Sequence, residues 1–479
     1  MGGTDCAVLE KDAPGWQRAC VHIGLPCIFA GIIITASVYC VYAFLMPFDF
    51  GLFTNIIWNF AQGDGWHASF YEGQVRVNFL ADHIALYIPF LSLPMRLFPS
   101  PYTLAVIHGI AVSSVYFLLP LLVREIWREA GRNDYLKAAL FLLFALFVNK
   151  AFNSAWRYPA HMTTLSMPFI LAAMIALHRK SLVFAAIWCI CLIMAQERAA
   201  VAVFGVGMYA AAITGNIRFG AALCFLSTGY FFAVVKIISP SFYGEQGSYL
   251  YASMIDPFFD IKDKLVYVIN LFFYLFFLPL AGRRALTAAS CAGPVIALAL
   301  ISSRPYMYTI GSHYNDLQSM FLIAASAHGL LWLTAKPWFA RLPRYAVCLL
   351  ALACLAYSAK YARHTLPVQH FARMDAPEFV QPLDAAIKTY ADIPPEVTAF
   401  ITDRLEARFA PRKKVMELSY ARAGRPFSSS MVFFSDRAYT KYTVPVAEFI
   451  ATLDKNPTLR LVSATEFLRV YASKDLAPQ

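Results

Sequence analysis

Long apolar runs dominate the chain, most of them near the roughly 20 residues that an α-helix needs to cross a bilayer. Hydrophobic residues make up 59% of the 479 residues and charged residues 14%, against roughly 45–50% and 25% in soluble domains. The surplus apolar surface has to face lipid, which excludes a cytosolic enzyme, a disordered chain and a small secreted scaffold. We predict spans near residues 23–46, 102–123, 138–152, 160–177, 181–196, 199–214, 219–237, 265–281, 285–302, 314–335 and 345–362.

The distribution of basic residues orients these predicted spans. With the N-terminus inside, every short basic cluster falls on the cytoplasmic side, as the positive-inside rule requires. The clusters lie in the loops 124–137, 178–180, 215–218, 282–284 and 336–344. This agreement requires that segment 84–98, which contains two prolines, form an interfacial or re-entrant helix. The net charge of +11 therefore indicates orientation and contact with anionic lipid rather than nucleic-acid binding.

Two parts of the chain differ in composition. Residues 1–363 form the predicted transmembrane domain, with a long first outer loop at 47–101, and residues 364–479 are polar. In the polar part, PEVTAFIT and RLVSA are typical of strands, while PEFVQPLDAAIKTYA and VAEFIATL have helical periodicity. The predicted fold class is an α-helical polytopic membrane protein of about 11 spans. A small extracytoplasmic α/β domain follows at the C-terminus.

Ionisable and aromatic residues collect at the predicted outer ends of the spans. An ionisable residue at a membrane boundary costs free energy, so it is a functional candidate. Because residues from distant parts of the chain share one face, we predict a site there. Its predicted catalytic residues are Asp49, Asp82 and His83, and its predicted substrate-binding residues are Arg157, His161, Glu197, Arg198, Arg304, His313 and Tyr314.

Each candidate also has a purely structural interpretation, which the sequence leaves open. The alternative is helix capping for Asp49, Asp82 and His83, and a helix-end ion pair for Glu197 and Arg198. For His161 it is an ordinary interfacial role. For His313 and Tyr314 it is a place in the aromatic belt, and for Arg304 it is lipid anchoring. No GxxxxGK[ST] or GxGxxG motif occurs, which argues against an ATP-driven or dinucleotide enzyme, and no HExxH motif indicates a metal site. We predict no cofactor, and a divalent metal would require distant residues to meet in space.

Several segments resemble known membrane enzymes in the same order along most of the chain. They are DFGLFTNIIWNFAQG, ADHIALYIPFLSLPMRLFPSP, RYPAHMTTLSMPFILAA, AQERAAVAVFGVGMY, GSHYNDLQSMFLIAA and IPPEVTAFITDRLEARFAPRKKVMEL. The arrangement resembles the GT-C integral-membrane glycosyltransferases. More narrowly, it is similar to a bacterial and archaeal family of predicted membrane proteins of unknown function within that clan.

The resemblance implies an enzyme of the bacterial cytoplasmic membrane that transfers a sugar from a polyprenyl-phosphate donor to an extracytoplasmic glycan, lipid or protein acceptor. Asp49 matches the first-loop carboxylate of the clan and would act as general base. Asp82 and His83 would orient the acceptor or assist that base. From chemistry and location, Arg157, Arg198, Arg304 or His313 would neutralise the departing lipid phosphate.

Two other function classes stay open. A non-catalytic scaffold would bind lipid-linked sugars through its outer domain without turnover. A flippase or transporter would show repeated halves and charges near the bilayer midplane. Here the charges cluster at one surface and no halves repeat, which favours the transferase.

Overall fold

The computed structural model describes twelve segments of the chain, and every statement below concerns these residues. They are 14–46, 48–69, 77–81, 83–157, 160–243, 255–341, 343–362, 378–390, 393–394, 396–418, 420–435 and 444–476. Asp82 and the predicted domain boundary at 363/364 lie outside them.

Helices follow the apolar runs, since backbone groups in lipid must be satisfied within their own segment. The helices of seven or more residues in the first part of the chain are α1 Gly15–Tyr42, α2 Phe48–Ala61, α3 Ile88–Leu97, α4 Pro101–Glu129, α5 Leu136–Phe147, α6 Lys150–Trp156, α7 Met162–His178, α8 Leu182–Ile193, α9 Ala199–Ala212, α10 Ile217–Phe242, α11 Ile261–Phe273, α12 Arg283–Ser290, α13 Gly293–Leu300, α14 Asp316–Thr334 and α15 Arg344–Ala362. A short hairpin of β1 His67–Ala68 and β2 Val77–Asn78 follows α2.

Four helices of the described chain are long and apolar enough to cross a membrane: α1, α4, α10 and the continuous helical stretch His313–Thr334. The pair α5 and α6 passes the same test as one span bent by 60°. Helices α3, α7, α8 and α9 are apolar but shorter. With 10 residues, α3 is only about 15 Å long, which agrees with the prediction that segment 84–98 does not cross the membrane.

Three predicted spans were wrong as uninterrupted helices. In 138–152, the Asn149 side chain caps a new helix by accepting a hydrogen bond from the N–H of Phe152 at 2.9 Å. In 265–281, α11 ends at Phe273, and Phe276 and Phe277 have φ values of 56° and 55° that cannot continue it. In 285–302, the chain breaks between α12 and α13, and Pro294 lies in the first turn of the second helix.

Small residues allow close helix contacts around α14. A Cβ atom at Gly329 would lie 2.0 Å from the carbonyl oxygen of Leu278, and one at Gly205 would lie 2.4 Å from that of Cys291. Glycine at these positions lets backbones approach in the way that membrane helices use for packing without a hydrophobic driving force. Helix α14 is therefore fixed against its neighbours, and the 3-10 turn just before it carries the candidate residues His313 and Tyr314.

A buried polar chain joins three of these helices to the end of α4. His178 Nδ1 lies 2.6 Å from Glu129 Oε2, and His178 Nε2 lies 2.8 Å from the Tyr209 hydroxyl. That hydroxyl is 3.0 Å from Nε2 of His328 on α14. Since buried polar groups are costly when unpaired, this chain fixes α7, α9 and α14 at the end of the bundle opposite the candidate residues.

The C-terminal part contains a five-stranded mixed sheet in the order β4-β3-β5-β7-β6. Its strands are β3 Thr398–Ile401, β4 Val415–Glu417, β5 Ser430–Phe434, β6 Leu459–Ala464 and β7 Arg469–Ser473, with helices α16 Val380–Lys388 and α17 Val446–Asp454. Strand β3 pairs in parallel with β4 and β5, whereas β7 pairs antiparallel with β5 and β6. The two strands and two helices predicted here are confirmed as elements.

One buried amide connects this sheet region to the first loop. Asn55 on α2 donates hydrogen bonds to the carbonyl oxygens of Ala410 at 2.9 Å and Arg412 at 2.8 Å. Its own side-chain oxygen accepts from the N–H of Ser69 at 3.1 Å. Helix α2, which begins near Asp49, is thereby held between the helical bundle and the sheet.

Candidate functional site

A histidine and a carboxylate from distant segments meet beside α3. His83 Nδ1 lies 2.8 Å from Glu197 Oε1, and the second oxygen of Glu197 accepts from the N–H of Ile84 at 3.1 Å. The Gln196 amide nitrogen is 2.7 Å from the same His83 atom. Side-chain exposure is 30% for His83 and 2% for Glu197, so a fixed buried carboxylate orients a partly open imidazole.

Arg198 is the buried cation of the site, with 7% of its side chain exposed. Its Nη2 donates to the carbonyl oxygen of Tyr314 at 2.5 Å and lies 3.3 Å from Asp316 Oδ1. Its guanidinium carbon is 4.7 Å from the centre of the Tyr314 ring. The Nη1 atom is buried and has no hydrogen-bond partner among the described residues. A buried donor without an acceptor is costly, so this nitrogen is suited to an anionic ligand.

Asp316, at the start of α14, holds the surrounding polar groups. Its Oδ2 accepts hydrogen bonds from the hydroxyls of Thr163 and, at 3.2 Å, Thr164. The Thr163 hydroxyl is also 2.8 Å from Nδ1 of His161, whose ring centre is 4.3 Å from that of His313. The hydrogen bond to Thr163 and the contact with His313 therefore place His161 in the cluster around Asp316.

Two arginines flank a pair of stacked tyrosines at the mouth of the site. The rings of Tyr306 and Tyr314 stack with centres 5.6 Å apart and planes 28° from parallel. Arg198 lies over Tyr314, while Arg304 lies over Tyr306 at 5.8 Å. Cations over aromatic faces are held without being neutralised. The stack thus links a buried and a half-buried guanidinium along one surface.

Asp49 lies in the first turn of α2, where a carboxylate interacts favourably with the helix dipole. It is partly exposed, and its charge interacts electrostatically with the hydroxyl of Tyr314. Ring contacts lead from His83 through Phe79 and Phe53 to His161, which connects the His83–Glu197 pair to the cluster around Arg198. The exposed Arg157 follows α6, and its charge interacts with Cys40 near the end of α1.

The structure brings most of the predicted site residues to one end of the helices. His161, Arg198, His313 and Tyr314 form one cluster, and Arg304 joins it through the tyrosine stack. Sequence reasoning missed the neutral partners Thr163, Thr164, Gln196 and Tyr306 and gave Asp316 no role in binding. The only available signal was position, since each lies within five residues of a predicted candidate in the printed sequence.

An apolar groove is lined in part by residues that closely follow Arg198 in the chain. Its cavity of about 160 Å³ lies between α9, α10 and α13 and is lined by Ala200, Val201, Phe204, Ser227, Thr228, Phe231 and Pro294. Ala200 and Val201 stand at the start of α9, immediately after Arg198. In the described part of the chain, no group of three or more His, Cys, Asp or Glu residues is placed to hold a metal ion.

A comparison with known protein families gives a match that extends over most of the chain. Residues 41–428 match the family model described as "Predicted membrane protein (DUF2079)". The chain belongs to the DUF2079 family. This match includes every predicted site residue, from Asp49 to Tyr314. A search of curated proteins finds no match.

Solved structures share the fold of this DUF2079 protein. The chain is similar to the GT-C glycosyltransferase ArnT from Cupriavidus metallidurans in its apo state, with a TM-score of 0.54 and 14% sequence identity. It is also similar to ArnT bound to undecaprenyl phosphate, with a TM-score of 0.51 and 14% identity. Each alignment covers 95% of this chain and 99% of ArnT. The predicted resemblance to the GT-C clan is therefore confirmed at the level of fold.

Proposed function

We propose that this protein is a membrane glycosyltransferase that takes a sugar from a polyprenyl-phosphate donor and transfers it to an acceptor hydroxyl. The acceptor is a glycan, a lipid or a protein. The proposed location is the bacterial cytoplasmic membrane, with the site and the C-terminal domain on the extracytoplasmic side. The GT-C fold supports this general kind of reaction, and the side chains at one end of the helices support the particular roles below.

Buried Arg198 is the observation that carries the proposal. When the bond between the sugar and the lipid phosphate breaks, the phosphate oxygen gains negative charge, and a fixed cation nearby lowers the barrier. Arg198 is positioned by the Tyr314 carbonyl and Asp316 and keeps an unpaired Nη1 donor. It would bind the departing phosphate, with Arg304 at the outer end of the tyrosine stack as a second cation.

Asp49 is the proposed general base. A partly exposed carboxylate in the first turn of a helix is open to an acceptor hydroxyl that reaches it, as a base must be. Its electrostatic interaction with Tyr314 is consistent with a position facing the Arg198 cluster. The base would remove the proton from the acceptor hydroxyl while its oxygen attacks the anomeric carbon, and the His83–Glu197 pair would orient the acceptor.

The groove that starts at Ala200 and Val201 is the proposed binding surface for the first isoprene units of the donor. Its lining is mostly apolar, and two of its lining residues, Ala200 and Val201, closely follow Arg198 in the chain. Undecaprenyl phosphate bound to an ArnT structure supports a polyprenyl-phosphate lipid as partner. A polar head at Arg198 and an apolar chain along α9 and α10 match the two parts of such a lipid.

The test compares lipids that co-purify with the wild type, Asp49→Asn and Arg198→Gln, by mass spectrometry after mild extraction. Asp49→Asn should carry a polyprenyl phosphate bearing a sugar, because the bound donor cannot react without the base. Arg198→Gln should carry little of it. The matched control is Asp263→Asn, which also removes an exposed carboxylate from the first turn of a helix.

The other two function classes give different results in this experiment. A binding scaffold or a flippase would carry equal amounts of the sugar-bearing lipid on the wild type and on Asp49→Asn. Ordinary phospholipid alone on every variant would refute the proposed donor. In either case the control should resemble the wild type, since Asp263 lies on α11.

A further inference from the structure

A second cavity, separate from the groove at Arg198, lies where the first loop meets the C-terminal sheet. It has a volume of about 450 Å³. Trp58 of α2 lines one side, Pro99 and Pro101 at the start of α4 line another, and the remaining wall comes from residues 384–414. Because α4 is a long apolar helix that begins here, the cavity lies at the level of the predicted membrane surface.

Positive charge dominates this cavity. The cationic side chains among its described lining residues are Lys388, Arg408, Arg412, Lys413 and Lys414, against the single carboxylate of Asp384. That carboxylate is already engaged, 2.9 Å from Lys388 Nζ and 3.1 Å from Arg408 Nη2. Outside the lining, the carboxylate of Asp64 lies 3.7 Å from Lys413 Nζ, so the cations still outnumber the carboxylates. A cleft lined by one sign of charge focuses the field and attracts ions of the opposite sign. The cavity therefore selects for an anionic ligand.

Neutral groups hold two of these cations in place. Arg412 donates from Nη2 to the Tyr390 carbonyl at 2.8 Å and from Nη1 to the Ile393 carbonyl at 3.3 Å. Lys414 donates to the carbonyl of Glu396 at 3.1 Å. These bonds to backbone carbonyls fix the positions of the two cations. The guanidinium carbon of Arg408 lies 5.1 Å from the ring centres of both Phe44 and Tyr102, and the same side chain is paired with Asp384.

Flat apolar surfaces make up much of the rest of the lining. They are Trp58, Phe409, Pro99, Pro101, Pro394 and Pro411. A bare inorganic ion would leave these surfaces unused, whereas a sugar ring can pack its C–H face against an aromatic ring while its acidic substituent reaches the cations. The combination indicates a charged carbohydrate rather than a simple anion.

We infer that this cavity binds an acidic sugar residue, a uronate or a sugar phosphate, and that this residue belongs to the acceptor. The role in the acceptor depends on the proposed function, whereas the binding itself does not. Trp58 and Asp49 lie on the same helix, and the rise of 1.5 Å per residue separates them by about 14 Å along its axis. The acceptor would thus carry its negative charge on a different sugar unit from the one whose hydroxyl is glycosylated.

The test measures binding of glucuronate, glucose 6-phosphate, inorganic phosphate and neutral glucose to the detergent-purified full chain. Wild type should bind both acidic sugars more tightly than phosphate or glucose. The double variant Lys413→Ala/Lys414→Ala should bind them about tenfold more weakly, because two charge-assisted contacts are lost. The matched control Lys455→Ala/Lys474→Ala removes two exposed lysines elsewhere in the same region and should match the wild type.

Three results would overturn the inference. The first is that the two double variants bind the acidic sugars with equal affinity. The second is that the wild type binds phosphate as tightly as glucose 6-phosphate, and the third is that it binds glucose as tightly as glucuronate. Since the four lysines are exposed, melting temperatures should verify that the variants fold. Asp49→Asn should bind the acidic sugars like the wild type. If the donor-lipid experiment fails while the acidic sugars still bind, the transferase proposal is refuted and the carbohydrate site is retained.

Discussion

Nδ1 of His83 lies 2.8 Å from Oε1 of Glu197, although the two residues are 114 positions apart in the chain. The same carboxylate accepts the backbone N–H of Ile84. It therefore fixes both the direction of the imidazole and the start of the segment that leads into α3. A single buried group thus connects the first loop to the turn between α8 and α9, next to Arg198.

We predict that Glu197→Gln lowers donor turnover about tenfold with little loss of stability, because the amide keeps the shape but no longer holds the imidazole in one orientation. Glu197→Ala should in addition lower the free energy of unfolding by about 2–4 kcal/mol, since His83 and the Ile84 N–H both lose a buried partner. Turnover is measured as loss of sugar-bearing polyprenyl phosphate in membranes, and stability by thermal melting. The exposed Glu466→Gln is the control. Unchanged turnover in Glu197→Gln would show that the pair is only structural.

Arg198→Lys should lower donor turnover about 100-fold, because a point charge cannot contact the Tyr314 carbonyl, Asp316 and a phosphate together as a planar guanidinium can. Retained lipid should fall with it, as measured by mass spectrometry. The same substitution at Arg96, an exposed residue on α3, should change neither quantity. Full turnover with lysine at 198 would remove this residue from the phosphate site.

Much of the helical architecture was predictable, because a stretch that faces lipid must be both long and apolar. The breaks were not, since each depends on a local backbone feature within an apolar run. Asn149 caps α6, Pro294 lies in the first turn of α13, and Phe276 and Phe277 adopt positive φ. None of these residues alters the average hydrophobicity of the run that contains it by much.

The site was predictable only where it is ionisable. A charge at a membrane boundary stands out by its cost, so Arg198 and Glu197 were visible in the sequence. Thr163 and Gln196 carry no charge. Thr163 matters because it contacts Asp316, 153 positions away, and Gln196 because it contacts His83, 113 positions away. Such partners become apparent only when the helix ends are assembled.

Asn55→Ala should loosen the contact between α2 and the C-terminal sheet. The substitution leaves the buried carbonyls of Ala410 and Arg412 and the Ser69 N–H without their partner. We expect a loss of about 2–4 kcal/mol in the free energy of unfolding, measured by thermal melting, and faster proteolysis near residue 410. The exposed Asn133→Ala should melt like the wild type. An unchanged melting temperature for Asn55→Ala would mean that water replaces this amide at no cost.

Tyr209→Phe separates stability from function, because its hydroxyl lies in the buried chain at the opposite end of the bundle. The change removes the shared partner of His178 and His328. Since both rings stay buried, we expect a loss of about 1–3 kcal/mol in stability. At temperatures well below the melting point, donor turnover per folded molecule should equal that of the wild type. The exposed Tyr357→Phe on α15 should affect neither quantity. A large fall in turnover at full stability would instead show that the two ends of these helices are coupled. Helix α9 leads from Tyr209 to Arg198, and α14 leads from His328 to Asp316.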